Sequence, residues 1–189
     1  MLALSDAISR GIVPNAELVL VVSDRSDARG LTLAQEKNIQ TLAIDRAGKT
    51  REEHEAEVIS ALRKYEVDVI CLAGYMRLLS PGFIEGFPRR ILNIHPSLLP
   101  SFPGLDVQQK AINHGVKWSG CTVHFVDDTL DGGPIIAQRV VPVLDDDTEA
   151  TLAERILEQE HLLYPEALAL VISGKFEIVG RRVVAAGKS

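Results

Sequence analysis

Three short, mainly apolar runs, Leu18–Val22, Val67–Ala73 and Ile91–Ile94, constrain the fold most. Each is rich in Val, Ile or Leu and too short for a core helix, the pattern of strands covered on both faces in a parallel sheet. A shorter candidate strand, Thr41–Ile44, is followed by residues 50–65, where Val58, Ile59 and Leu62 fall at helical spacing behind Thr50 as N-cap. Strand and helix therefore alternate. Beyond Ile94 the pattern changes to a helix over 106–114, strands over Trp118–Val126 and Ile135–Val143, and a long helix from near Thr148. The two later strands flank a Gly-rich turn and are expected to pair as an antiparallel hairpin. Phe176–Val184 reads as a strand or small hairpin, and the tail as loose. No internal repeat and no Pro-, Gly- or Ser-rich linker divides the chain. The expectation is one α/β domain over residues 1–189, with a Rossmann-like, mixed but mostly parallel sheet and helices on both faces. The start is unusual for such a domain. Residues 1–9, with Leu4 and Ile8 four apart, read as a helix already under way where a strand is expected, so a first strand is read as absent.

The formal charge of −6 comes with no cluster of Lys or Arg, which excludes a phosphate-neutralising nucleic-acid surface. With 46% hydrophobic and 24% charged residues the composition is that of a folded chain and excludes disorder. The first residues carry no basic n-region, and no apolar run nears the roughly 18 residues of a membrane span. Cys71 and Cys121 sit in apolar runs, where a thiol behaves as a small hydrophobe in a reducing compartment, although a single disulfide is left open. A cytoplasmic protein without membrane or nucleic-acid partners is the expectation.

The strongest local chemistry lies in Leu92-Asn93-Ile94-His95-Pro96. Alternate strand residues share a face, so Asn93 and His95 project together, opposite Leu92 and Ile94. Pro96 cannot continue the ladder and stops the strand, which puts the pair at a carboxyl end, where open α/β sheets bind ligands. An amide donor beside a titratable ring suits a developing oxyanion, and the competing reading is a satisfied polar pair at a strand end. The turn Asp127-Asp128-Thr129-Leu130-Asp131-Gly132-Gly133-Pro134 is longer and more acidic than a minimal hairpin needs. Were Asp131 to reach His95, its carboxylate would favour the imidazolium; otherwise the loop is a solvated turn. Gly74-Tyr75-Met76-Arg77-Leu78-Leu79 follows the third strand and suits either a wall for a flat ligand or core packing. Glu160 on the last helix reads, from the residues alone, as a solvated carboxylate.

Several chemistries are excluded. Cys121 and His124 are three apart in a strand and face opposite ways, so no shared metal is expected. No G-x-G-x-x-G is present, and Gly187-Lys188-Ser189 lacks the Walker glycine five residues earlier, where Arg182 stands. No serine lies in a nucleophile elbow, and neither cysteine has an electropositive setting.

At Asn93-Ile94-His95-Pro96-Ser97-Leu98-Leu99-Pro100-Ser101-Phe102, followed by Gly104, the chain resembles the phosphoribosylglycinamide formyltransferase family. The resemblance runs through 71–77, 120–126 and Asp131-Gly132-Gly133 and covers residues 1 to about 180. Methionyl-tRNA formyltransferases typically have Ala after the His and Arg before the Gly, and formyltetrahydrofolate deformylases a second His in place of Pro96. The resemblance implies the formyltransferase fold and transfer of a formyl group from 10-formyltetrahydrofolate to the amine of glycinamide ribonucleotide, without a metal. It implies Asn93, His95 and Asp131 as the catalytic trio. Folate contacts would fall on Met76, Arg77, Leu78, Leu79, Asn93, Val126, Asp127, Asp128 and Leu130, with Arg51 at the glutamyl tail, and ribonucleotide contacts on Pro96 and Glu160. A monomer or homodimer is implied. Family members begin with a strand and a phosphate-binding loop, which this chain is expected to lack. Two other readings compete: a catalytically impaired folate-binding remnant, and a formyltetrahydrofolate hydrolase.

Overall fold

The structure, a computed structural model, describes residues 1–186; the tail expected to be loose, with its Gly-Lys-Ser end at 187–189, lies outside the described residues. In chain order the elements are α1 (Leu2–Ser9), β1 (Val21–Ser23), α2 (Arg29–Glu36), β2 (Thr41–Ala43), α3 (Arg51–Lys64), β3 (Ile70–Leu72) and α4 (Pro81–Gly86). They continue with β4 (Ile91–His95), α5 (Val107–Asn113), β5 (Trp118–Phe125), β6 (Ile135–Pro142), α6 (Glu149–Ser173), β7 (Phe176–Val179) and β8 (Arg182–Ala185). Local chemistry explains several boundaries. Thr50 caps α3 in a reciprocal box with Glu53, and the acids Glu52 and Glu53 at its start and bases Arg63 and Lys64 at its end complement the helix dipole. Thr148 caps α6, which ends at Gly174 in the left-handed conformation. Two helices escape the sequence pattern: α2 starts without a side-chain cap, and α4 has only six residues, begun by Ser80 and Pro81.

The strands form two sheets, β1-β2 and β3-β4-β5-β6-β8-β7. The expected α/β architecture with mixed strand directions holds, but the pairing is not mostly parallel and not in one sheet: β1-β2, β3-β4 and β6-β8 are parallel, whereas β4-β5, β5-β6 and β7-β8 are antiparallel. The sheet is split because no backbone ladder joins β1 to β3 among the described residues, and the antiparallel pairs arise where β5 and β6, and β7 and β8, follow one another as hairpins. These strands are also shorter than their apolar runs. Leu18–Leu20 and Val67–Val69 precede β1 and β3 rather than joining them. Ala73, just past β3, and residues of α1, α2 and α6 line a cavity of about 870 Å³.

Helices cover both faces of the larger sheet, and adjacent residues of β4 show it. Leu92 belongs to one core, with β5, β6, α1, α5 and α6, and Ile91 to a second, with α3 and α4. The buried Tyr164 of α6 donates its hydroxyl to the carbonyls of Leu72 (2.8 Å) and Leu92 (3.0 Å), fastening that helix to β3 and β4. No helix among the described residues is long and apolar enough to cross a membrane.

Candidate active site

The site is built at the carboxyl end of β4, which runs up to Pro96. In the antiparallel register Asn93 lies opposite His124 and His95 opposite Thr122, so four polar side chains share one face of β4 and β5. Two jobs are divided among them. Thr122 Oγ1 donates to Ser97 O (2.7 Å) and accepts from Leu99 N (3.0 Å) and Gln138 Nε2 (2.9 Å). Ser97 Oγ donates in turn to Ser101 O (2.6 Å). This network ties residues 97–102, which follow the strand, to β5 and β6, and so fixes the Phe102 carbonyl.

His95 is 5% exposed and donates from Nε2 to that Phe102 carbonyl at 3.0 Å. Its Nδ1 stands 3.5 Å from Asp131 Oδ2, an ion-pair distance longer than a good hydrogen bond. Both ring nitrogens thus face acceptors, and only the imidazolium carries a proton on each. Asp131 is held from elsewhere. Its Oδ2 accepts from Gly104 N at 2.8 Å, its φ is +49°, and its Oδ1 is 3.8 Å from His124 Nε2. The loop holding it is braced on both sides: Asp127 accepts from Thr129 N and Oγ1, and Arg181 donates to Gly132 O. The loop therefore reaches His95, and the reading of a merely solvated turn falls away.

His124, 2% exposed, accepts at Nε2 from Asn93 Nδ2 (3.2 Å) and donates from Nδ1 to Phe125 O (2.8 Å). Burial pulls its ring below the ordinary imidazole range, against the opposing pull of Asp131. The sequence reading passes over this residue except to reject it as a metal ligand. The signal was Thr122-x-His124, polar at alternate positions of an otherwise apolar strand. Gly133 is required beside it, since any Cβ there would strike the Phe125 carbonyl.

The expected ligand wall divides. Met76 is 75% exposed, Leu78 53% and Leu130 55%, leaving apolar surface free beside the polar cluster. Leu79 instead packs in the core with Phe83 and Phe87, with Val126 partly buried against them. Asp128 is exposed, and Asp127 spends its carboxylate on Thr129. Arg51 at the start of α3 pairs with Glu52 at 3.3 Å. Burial, with the charge of Glu55, raises the Tyr75 hydroxyl above the ordinary phenol range, against the opposing charges of Arg77 and Arg51. Glu160 of α6 makes no hydrogen bond or ion pair among the described residues, and burial pushes its carboxyl above the ordinary range. Both cysteines are free, with thiols pushed up to about 12 by burial, which leaves no thiolate nucleophile at neutral pH. No cluster of three metal-ligating side chains occurs among the described residues.

Against known proteins, residues 2–168 match the formyl transferase family. The trifunctional purine biosynthetic protein adenosine-3 of Drosophila melanogaster is 47% identical over 161 residues, 85% of this chain but 12% of that protein. The chain thus spans about an eighth of the length of that relative. Phosphoribosylglycinamide formyltransferase of Escherichia coli (strain K12) is 42% identical over 159 residues, 84% of this chain and 75% of its own length. Among solved structures, glycinamide ribonucleotide transformylase 1 from Symbiobacterium toebii superimposes with a TM-score of 0.94 at 48% identity, over 97% of this chain and 87% of that one.

Proposed function

The chain belongs to the formyl transferase family, and from that premise we propose that it transfers a formyl group from 10-formyltetrahydrofolate to the amine of glycinamide ribonucleotide. The observation that carries the reading is the meeting of Asp131 with His95, on the face of β4 that also carries Asn93. The 42% identity to a phosphoribosylglycinamide formyltransferase supports the choice of acceptor.

The chemistry follows from the groups present. The substrate amine attacks the formyl carbon, its oxygen takes up the negative charge, and the bond to the folate nitrogen then breaks. Asn93 contributes an amide N–H and His95 an imidazolium N–H to that oxygen, two donors carried on one face of a paired strand. In the structure His95 Nε2–H is spent on Phe102 O, so donation to substrate requires that this bond be exchanged. Asp131, braced by Gly104 N, keeps the charged ring oriented and stands where a water can relay the proton from the attacking amine to the departing folate nitrogen. Exposed Met76, Leu78 and Leu130 suit the flat pterin of the donor, and Arg51 and Arg77 its carboxylated tail. Pro96 and Glu160 are assigned to the ribonucleotide. Two free thiols fit a reducing cytoplasmic setting, and the enzyme acts as a monomer or homodimer.

The test mixes the chain with both substrates and follows tetrahydrofolate by absorbance, with a control lacking the ribonucleotide. Ribonucleotide-dependent turnover is expected. Formate release in the control would point to a hydrolase, and folate binding without turnover to a remnant that only binds; either overturns the proposal.

A further inference from the structure

The carbonyl oxygen of Phe125 can only accept, so the 2.8 Å contact from His124 Nδ1 places a proton on Nδ1. In the neutral ring Nε2 is then an acceptor, and the group facing it at 3.2 Å is the side-chain amide of Asn93. That fixes the amide: its Nδ2 must point at the ring, because turning it over would set Oδ1 against the Nε2 lone pair. One N–H of Asn93 is consumed on His124, and the second is left to donate. We infer that His124 is a positioning residue for formyl transfer, a tautomer-locked acceptor that makes Asn93 present N–H rather than C=O to the substrate oxygen. The inference rests on the role proposed above for Asn93.

The setting supports a neutral ring held still. His124 is 2% exposed and lies directly across the ladder from Asn93, so both ends of the contact are carried by paired strands. The titratable groups facing it are Asp131, His95 and Asp127. Asp131 Oδ1 lies 3.8 Å from Nε2, too far for a hydrogen bond that would demand a proton there. Asp131 thus serves His95 from Oδ2 and leaves the acceptor face of His124 to the amide. The Phe125 carbonyl occupies the space a Cβ on Gly133 would need, in the loop that carries Asp131, so one turn adjoins both the ion pair and the anchor of His124.

Two measurements test it. The first is a double-mutant cycle on the whole chain with His124→Leu and Asn93→Ala, reading kcat and folate KM. His124→Leu should lower kcat about 10- to 100-fold with folate KM within about threefold, and Asn93→Ala about 100-fold. Adding His124→Leu to Asn93→Ala should cost nothing more, whereas a purely structural His124 would impose its full loss again. That additive outcome would overturn the inference. The second is ¹⁵N NMR of the imidazole in the unmutated chain, which needs no variant to fold. A neutral Nδ1–H ring, with Nε2 shifted by Asn93→Ala, is expected; an imidazolium or an Nε2–H tautomer overturns the inference. Absence of formylated product from the unmutated chain would instead sink the proposed function and leave the NMR to decide how His124 pairs.

Discussion

The two halves of the site are built in opposite ways. Asn93, His95 and His124 are carried on paired strands; both histidines are almost wholly buried, and each of the three spends a nitrogen on a neighbour. Met76, Leu78 and Leu130 sit on loops with half or more of their surface open to water. The difference follows from what each half must do. Donors stabilise a transient charge best when little has to move, and carriage on buried, paired strands supplies that. A large flat ligand is gripped by area, and area is useful only if it is exposed beforehand and covered on binding. Changes in the first half should therefore appear in kcat, and changes in the second in the KM for folate.

The sharpest way to break this division is at the centre. His95→Ala should lower kcat by about 100-fold or more with folate affinity essentially unchanged, measured by steady-state turnover and equilibrium titration. Unchanged turnover would remove His95 from the chemistry. Next in size is Gly133→Ala, which forces a methyl onto the Phe125 carbonyl and displaces the anchor of His124. A drop of about tenfold in kcat is expected, with a modest loss of thermal stability as overpacking is relieved. A rise in folate KM alone would show that the loop serves the wall rather than the centre.

The centre was also the legible half. Period-two alternation put Asn93 and His95 on one face, and Pro96 marked the strand end; both hold because they depend on neighbours in the chain. Asp131 reaching His95 was posed only as a condition, since hairpin geometry over a loop of this length is not written in local pattern. His124 escaped because its meaning lies in register: it matters only once it faces Asn93 across the ladder. The same holds for Leu79, whose neighbours Met76 and Leu78 face solvent while it turns into the core. At the level of the fold, the hairpin β5-β6 and the caps of α3 and α6 were readable, whereas the division into two sheets was not. Ladder formation is decided by which strands meet, and no residue of β1 or β3 announces its partner.

The wall offers a smaller effect that sharpens the same contrast. Met76→Ala and Leu130→Ala each remove part of an exposed apolar surface that binding would cover. Full burial of such a side chain is worth about 1.5–3 kcal/mol, and one-sided coverage a fraction of that. Folate KM should rise about three- to tenfold for each, with kcat at saturation preserved. A fall in kcat without a change in KM would mean that these side chains position the reacting group instead, and the two halves would no longer be separable.

The smallest effect belongs outside both halves, at Asp147, and serves as their control. Its carboxylate accepts both Nη atoms of Arg155, at 2.8 and 2.9 Å, together with Leu144 N and Thr151 Oγ1, just ahead of α6. The Arg155 hydrogen bonds hold Asp147 well below the usual carboxylate range. A carboxyl depressed in the folded state adds stability that is present above its unfolded pKa of about 4 and is lost as the pH falls below that value. Asp147→Asn should therefore lower Tm at pH 7 by roughly 2–4 °C, with the gap to the unmutated chain closing as the pH is taken down through 4 toward the lower folded value. Because α6 fastens to β3 and β4 through Tyr164 rather than through Asp147, kcat and folate KM at 25 °C should not move. A change in kcat would show that the start of α6 bears on the centre, and that the rigidity ascribed to β4 and β5 is borrowed from the helix packed against them.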